Sequence, residues 1–201
     1  NMEKTKEEKL HKLAKTIRVL TVAPLMALIA FILIWIFNKD VFIDYTNLIL
    51  TILFIVAFPL FSYALQPFIP KFKKEGRKGQ RKLAIIMSVI GYVLGLALAL
   101  ILNLSEGTKM IFICYVMAGT LIFAFSKFTP IKASGHACGV AGPIVYLTYF
   151  LGLWSLFGLL ILVPVYWCSL YMKRHTLRDL IFGTLIPFVA FGIAYLFVVI
   201  L

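Results

Sequence analysis

Few side chains in this sequence can do acid–base or nucleophilic chemistry. The acids are Glu3, Glu7, Glu8, Asp40, Asp44, Glu75, Glu106 and Asp179, and from residue 107 onward Asp179 stands alone. The histidines are His11, His136 and His175. His175 and Asp179 lie four apart, a spacing that puts both on one face of a helix. A carboxylate so placed accepts the ring N–H, fixes the tautomer and raises the basicity of the other nitrogen. His136 opens one apolar segment and His175 another, and the cations Lys132, Lys173, Arg174 and Arg178 flank them. Two histidines and one carboxylate at one depth, with flanking cations, point to a functional site rather than to isolated interfacial polar residues. Cys114, Cys138 and Cys168 sit in or beside apolar segments without metal-ligand spacing. They are expected as buried, reduced thiols, and no metal site or cofactor is predicted.

The elements that must position these residues are membrane helices. The chain has 201 residues, of which 62% are hydrophobic and 14% charged; its mean hydropathy is +1.00. A soluble domain is roughly 45–50% apolar and about 25% charged, so a water-facing surface cannot be built from what remains. Stretches of apolar residues nearly free of charge match the roughly 20 residues that cross a bilayer core. Strand alternation is absent. The expected fold class is all-α, a polytopic helix bundle of six to seven transmembrane helices.

Residues 1–17 read as an amphipathic segment, with Leu10, Leu13, Ile17 and Leu20 on one face and lysines around them, as in a helix lying on a membrane surface. No cleavable signal peptide is expected. Residues 18–201 read as one transmembrane domain with seven spans. The first is Val19–Phe37, the second Leu48–Phe68 with Pro59 as a kink, and the third Leu83–Leu102 with Gly91 and Gly95 as a close-packing face. A basic loop, Lys71–Lys82, separates the second from the third. The fourth is Met110–Phe125. Residues 136–172 as one helix would run about 55 Å, too long for a core of about 30 Å. The signal Gly152-Leu153-Trp154-Ser155 divides them into His136–Leu151 and Ser155–Met172. The seventh span is His175–Leu201.

With seven spans, the N-terminal tail, the Lys71–Lys82 loop, Lys127, Lys132, Lys173, Arg174 and Arg178 share one side, which holds eighteen basic residues; the other has Lys39 and Lys109. The positive-inside rule places the richer side in the cytoplasm. The net charge of +12 is read as topological and lipid-facing rather than as a nucleic-acid footprint.

Ser134-Gly135-His136 resembles the P-S-G-H motif of the type 2 phosphatidic acid phosphatase superfamily, and His175-Thr176-Leu177-Arg178-Asp179 resembles the H-x-x-x-D end of that family's S-R-x-x-x-x-x-H-x-x-x-D motif. Gly183 matches a glycine common after it. Ala133 stands in place of the proline, Ser169 in place of the arginine and Cys168 in place of the preceding serine. Lys74 and Arg81 have the spacing of the family's K-x-x-x-x-x-x-R-P motif, with Lys82 in the proline's position. The resemblance implies a membrane lipid phosphatase in which His175 is the nucleophile and forms a phosphohistidine. Asp179 would orient His175, and His136 would protonate the leaving oxygen and then activate water. Lys132, Ser134, Gly135, Lys74, Arg81 and Arg174 would bind the phosphate. The substrate would be a phosphatidate-like lipid or a polyprenyl phosphate or diphosphate. A lipid phosphotransferase using the same histidine is the nearest alternative, and a non-catalytic transporter or scaffold the more distant one. The clustering of ionisable residues at one rim, rather than at mid-membrane, favours interfacial chemistry over transport.

The charge asymmetry yields a direct test. A cysteine introduced between Lys71 and Lys82 is expected to stay unlabelled by an impermeant thiol reagent on intact cells and to react once the membrane is opened. Labelling on intact cells reverses the orientation.

Overall fold

The computed structural model describes the backbone of residues 2–200 and side chains over residues 6–199. Asn1 and Leu201, the outer edges of the two segments expected from sequence, lie outside the described residues. All regular structure among the described residues is helical. Five helices are long and apolar enough to cross a membrane, or up to six if the bent pair at the N-terminus is one span.

Helix α1 (Met2–Leu20) carries the basic tail and ends three residues beyond the expected amphipathic segment. It meets α2 (Ala23–Phe37) at a 49° bend. Pro24 sits in the first turn of α2, where its missing N–H costs no hydrogen bond. Asp44 then caps α3 (Tyr45–Ile52) by accepting the Asn47 N–H at 2.9 Å. The chain continues through a π-helical turn, Leu53–Ala57, into α4 (Phe58–Leu65). Pro59, buried at the start of α4, offers no N–H to the preceding turn, and the helix widens there rather than ending.

The basic segment expected as a loop is helical. Lys71, Lys73 and Lys74 lie on the short α5 (Pro70–Lys74), and α6 (Gly76–Ile101) begins seven residues before the apolar run. Gly76, at φ +55°, makes the turn between them. An ion pair of 2.7 Å from Lys82 to Glu75 ties the start of α6 back to that turn and draws the Glu75 carboxyl below its ordinary range. Sequence hydropathy marks where a helix enters the apolar layer, whereas backbone hydrogen bonding continues through charged residues that point into water.

Gly91 and Gly95 form the close-packing face expected of them. A Cβ on Gly91 would press on the Phe54 carbonyl and Phe58, and one on Gly95 would enter the Phe112 ring on α7 (Glu106–Phe128). α8 (Gly135–Leu151) has 17 residues and is the most enclosed helix, with Ala137, Val140, Ala141, Ile144 and Tyr146 all buried. It packs on α2 and on α10 (Leu177–Tyr195). Gly152, at φ +99°, makes the break that the Gly152–Ser155 signal predicts. A 3-10 segment, Leu153–Ile161, then leads into α9 (Leu162–Tyr171). The last helix starts at Leu177 rather than at His175, because Thr176 and Asp179 form a capping box that fixes the first turn.

At the end of the bundle away from His136 and His175, a buried polar knot joins α3 to α7. The Asn47 amide oxygen accepts the Ser105 N–H at 2.9 Å, and the Ser105 hydroxyl donates to the Val41 carbonyl at 2.6 Å. The Asn47 amide also donates to Asp44. Asn47→Ala strands the Ser105 N–H away from water, a loss of about 1–3 kcal/mol. A lower Tm in detergent is the expected outcome, and an unchanged Tm removes the knot as a stabilising feature.

Candidate functional site

The site lies where α8 and α10 begin. Ser134, fully buried, caps α8 by accepting the Ala137 N–H, and its own N–H donates to the Asp179 carbonyl at 2.9 Å. One residue pair upstream, the Lys132 N–H donates to Asp179 Oδ1 at 3.0 Å. The other carboxylate oxygen accepts the Thr176 N–H at 3.0 Å, closing the capping box. Gly183, on the next turn of α10, faces the Ser134 backbone so closely that a Cβ would lie 2.9 Å from its nitrogen. These contacts stitch the two helix starts together without leaving room for a larger side chain.

His136 stands in the first turn of α8 and His175 just before the cap of α10, and they are near enough to act on each other through charge. His175 Nδ1 is 3.8 Å from Asp179 Oδ2. That is an electrostatic contact and longer than a hydrogen bond. Asp179 thus supports His175 by charge while its oxygens are engaged by the Lys132 and Thr176 N–H groups. Sequence spacing brings this pair together correctly, but His175 precedes the helix, and the cap takes the carboxylate's best acceptor directions. The His175 ring has its pKa lowered, chiefly by burial and further by Arg18 and Arg81; Asp179 and the Lys132 backbone oppose that shift.

The tautomer of His136 follows from its partner. Thr21 Oγ1 lies 2.9 Å from His136 Nε2 and also 2.7 Å from the Ile17 carbonyl. The hydroxyl has one proton and the carbonyl can only accept, so that proton goes to Ile17. Nε2–H therefore donates to Thr21, and Nδ1 is the free base. This assignment leaves Nδ1 as the atom that can pick up or deliver a proton.

The expected phosphate ligands divide. Lys132 and Gly135 are exposed beside His136, and Arg174 is exposed one residue before His175. Arg81, exposed on the early turns of α6, is close enough to influence both His175 and Arg18. Lys74 is exposed at the end of α5, and no hydrogen bond or ion pair among the described residues ties it to this group. The Lys74 and Arg81 spacing read from a supposed loop is thus split between two helices, and of the two it is Arg81 whose charge acts on His175.

Two members of the site lie outside both motifs. Arg18, on the last turn of α1, donates from Nη1 to the Ser169 hydroxyl at 3.0 Å. Thr21, at the bend after α1, holds His136 as described. Arg18 acts through charge on both histidines. Arg18 and Thr21 are separated from their partners by 151 and 115 residues, so no local spacing reveals them. The one available signal is that Arg18 is the last charge before an apolar span, where a cation sits at the rim. Among the described residues, no group of three or more His, Cys, Asp or Glu side chains could hold a metal ion, and Cys114, Cys138 and Cys168 are free and buried.

An apolar cleft of about 100 Å³, lined by Gly135, Gly139, Ala118 and Tyr146 among others, lies between α2, α6, α7, α8 and α10. Tyr115 and Tyr146 close its inner end, with their hydroxyls 3.3 Å apart.

No protein-family model matches the chain, and no curated protein or solved structure matches it.

The lowered pKa of His175 has a signed consequence. The folded ring binds its proton more weakly than the unfolded one, whose pKa is about 6.5. The unfolded chain therefore takes up more protons as the pH drops, and stability falls below that pH until the folded ring also protonates. Thermal melts of the wild type across the acid limb should decline more steeply than those of His175→Gln, which has no proton to gain. Parallel curves remove His175 as the source.

Proposed function

We propose that this chain is an integral-membrane lipid phosphatase that works through a phosphohistidine on His175. The observation that carries the reading is the pairing of His136 and His175 with Asp179 and nearby cations at the joined starts of α8 and α10, where Gly135 also lines an apolar cleft. A phosphate headgroup suits the rim, and a hydrocarbon tail suits the cleft. Phosphatidate-like lipids and polyprenyl phosphates or diphosphates share that chemistry. The resemblance of Ser134-Gly135-His136 and His175–Asp179 to the motifs of the type 2 phosphatidic acid phosphatase superfamily supports the same reading.

With Nδ1 turned to Asp179, Nε2 of His175 attacks phosphorus. A nitrogen–phosphorus bond forms and the ester oxygen–phosphorus bond breaks. For this step His136 must enter as the imidazolium, with Nε2–H still donating to Thr21 and a second proton on Nδ1. The leaving oxygen takes that Nδ1 proton and leaves His136 neutral. In the second half, the same Nδ1 removes a proton from water, the water oxygen bonds to phosphorus, and the phosphohistidine bond breaks to release phosphate. Catalysis of this kind rests on positioning and on cations set against the transferring oxygens. The lowered pKa of His175 suits its part, since a nucleophile must be neutral at working pH. Lys132, Arg81 and Arg174 neutralise the phosphoryl oxygens, and Ser134 and Gly135 fix the entry to α8. The charge asymmetry of the sequence favours a cytoplasmic orientation for this rim.

Phosphate release from a panel of lipid phosphates in detergent micelles tests the reading. His175→Ala is expected to abolish turnover with a Tm near that of the wild type, because the ring sits outside the helix at the rim, where water can fill the space it leaves. Asp179→Asn should lower activity and also Tm, since it alters the cap of α10. His136→Ala should spare substrates with an acidic leaving alcohol more than those with a poor one. Vanadate should inhibit the wild type. A well-folded His175→Ala with wild-type turnover would falsify the phosphohistidine mechanism.

A further inference from the structure

We propose that Arg18, carried on the N-terminal helix α1 and seated on Ser169, is the guanidinium that binds the phosphoryl anion at this site. The identity of the anion as a substrate phosphoryl group rests on the phosphatase reading above. The existence of an anion site beside Arg18 rests on charge balance alone.

Arg18 is half-buried, and its hydrogen bond to a side chain is to the neutral hydroxyl of Ser169. Among the described residues no carboxylate forms an ion pair with it. The permanently charged groups that act on it are Arg174 and Arg81, both of its own sign; the Cys168 thiol also lies close to it, and Arg18 acts in turn on His136 and His175. The nearest acid in the site, Asp179, is already engaged by two backbone N–H groups. A partly buried cation surrounded by cations is unfavourable unless a counter-charge joins it. An arginine keeps its charge at any working pH and presents five donors in a planar fork, of which one is used here. The remaining donors fit the edge of a phosphate.

Ser169 explains how the guanidinium is held. It is fully buried on α9, its hydroxyl accepts from Arg18, and its carbonyl accepts the Arg174 N–H at 3.0 Å. One residue therefore sets both the side chain of Arg18 and the backbone of Arg174. The depth is also right. Arg18 precedes the bend where α1 turns into α2, and α1 packs along α9 with its other side exposed. It reaches the site at the level where a headgroup lies.

If Arg18 served only to pin α1 against α9, replacing it with a neutral donor would leave anion binding intact. Arg18→Gln is that variant, because glutamine can still donate to Ser169. Two readouts are needed: kcat/KM for phosphate release from a lipid phosphate, and the rise in Tm caused by inorganic phosphate. The expected result for Arg18→Gln is a wild-type Tm without phosphate, no rise with phosphate, and kcat/KM lower by about 10²–10³-fold, the usual cost of one transition-state donor. Moving the group, as Arg18→Ser with Ser169→Arg, should recover at least about tenfold of that loss, since each tenfold is 1.36 kcal/mol of restored stabilisation. Wild-type kcat/KM and an undiminished phosphate response in Arg18→Gln overturn the proposal. If the wild type releases phosphate from no lipid, the phosphatase reading fails and the Tm arm alone decides. Protection of the wild type but not of Arg18→Gln then upholds Arg18 as an anion ligand, and equal protection, or none, overturns it.

Discussion

The junction between Ser134 and the first turn of α10 is the contact on which the site depends. Two backbone donors, Ser134 N–H and Lys132 N–H, go to the carbonyl and carboxylate of Asp179. The approach is close because Gly183 has no side chain to hold α10 away. Since Ser134 also caps α8, the same few atoms set the start of both helices and so the separation of His136 and His175. Asp179 thereby does three things at once: it completes a capping box, anchors the neighbouring chain and lends charge to His175. A residue with this many duties resists interpretation by simple substitution, because its removal changes geometry and electrostatics together.

The two helix starts add to the local potential. Backbone N–H groups at a helix N-terminus carry partial positive charge, and here two such ends converge beneath a rim that already holds Arg18, Arg81, Lys132 and Arg174. Within this group only one carboxylate is present, and it is spent on N–H donors. The balance leaves the site with a surplus of positive charge beside an apolar cleft that Gly135 lines.

Much of the fold was legible because lipid-facing helices obey simple rules of length and composition. The break at Gly152, the close face at Gly91 and Gly95 and the helical class all follow from residue type. The errors have physical sources. Hydropathy places helix ends at the edge of the apolar layer, yet α6 runs through Arg77, Lys78, Arg81 and Lys82 because backbone hydrogen bonds are indifferent to charged side chains directed into water. The reverse occurs at His175, where the capping box of Thr176 and Asp179 shortens the helix. In the site, His136, His175 and Asp179 were legible because each belongs to a local pattern with fixed spacing. Arg18 and Thr21 were not, because their roles exist only once α1 lies against α9 and α8.

That α1 completes the site has a consequence for how the site forms. Arg18 and Thr21 are three residues apart at one helix end, and one touches Ser169 while the other touches His136. Neither contact can form unless the helix end is in place, and both are lost together if it lifts. Over its described side chains the rest of α1 is largely exposed and lysine-rich, a composition that anionic lipid headgroups attract. The tautomer of His136 and the position of the central guanidinium are then set by the same docking event. Charge on the tail, which by count alone speaks only of topology, thus lies on the same helix whose end fixes the His136 tautomer and seats Arg18 on Ser169.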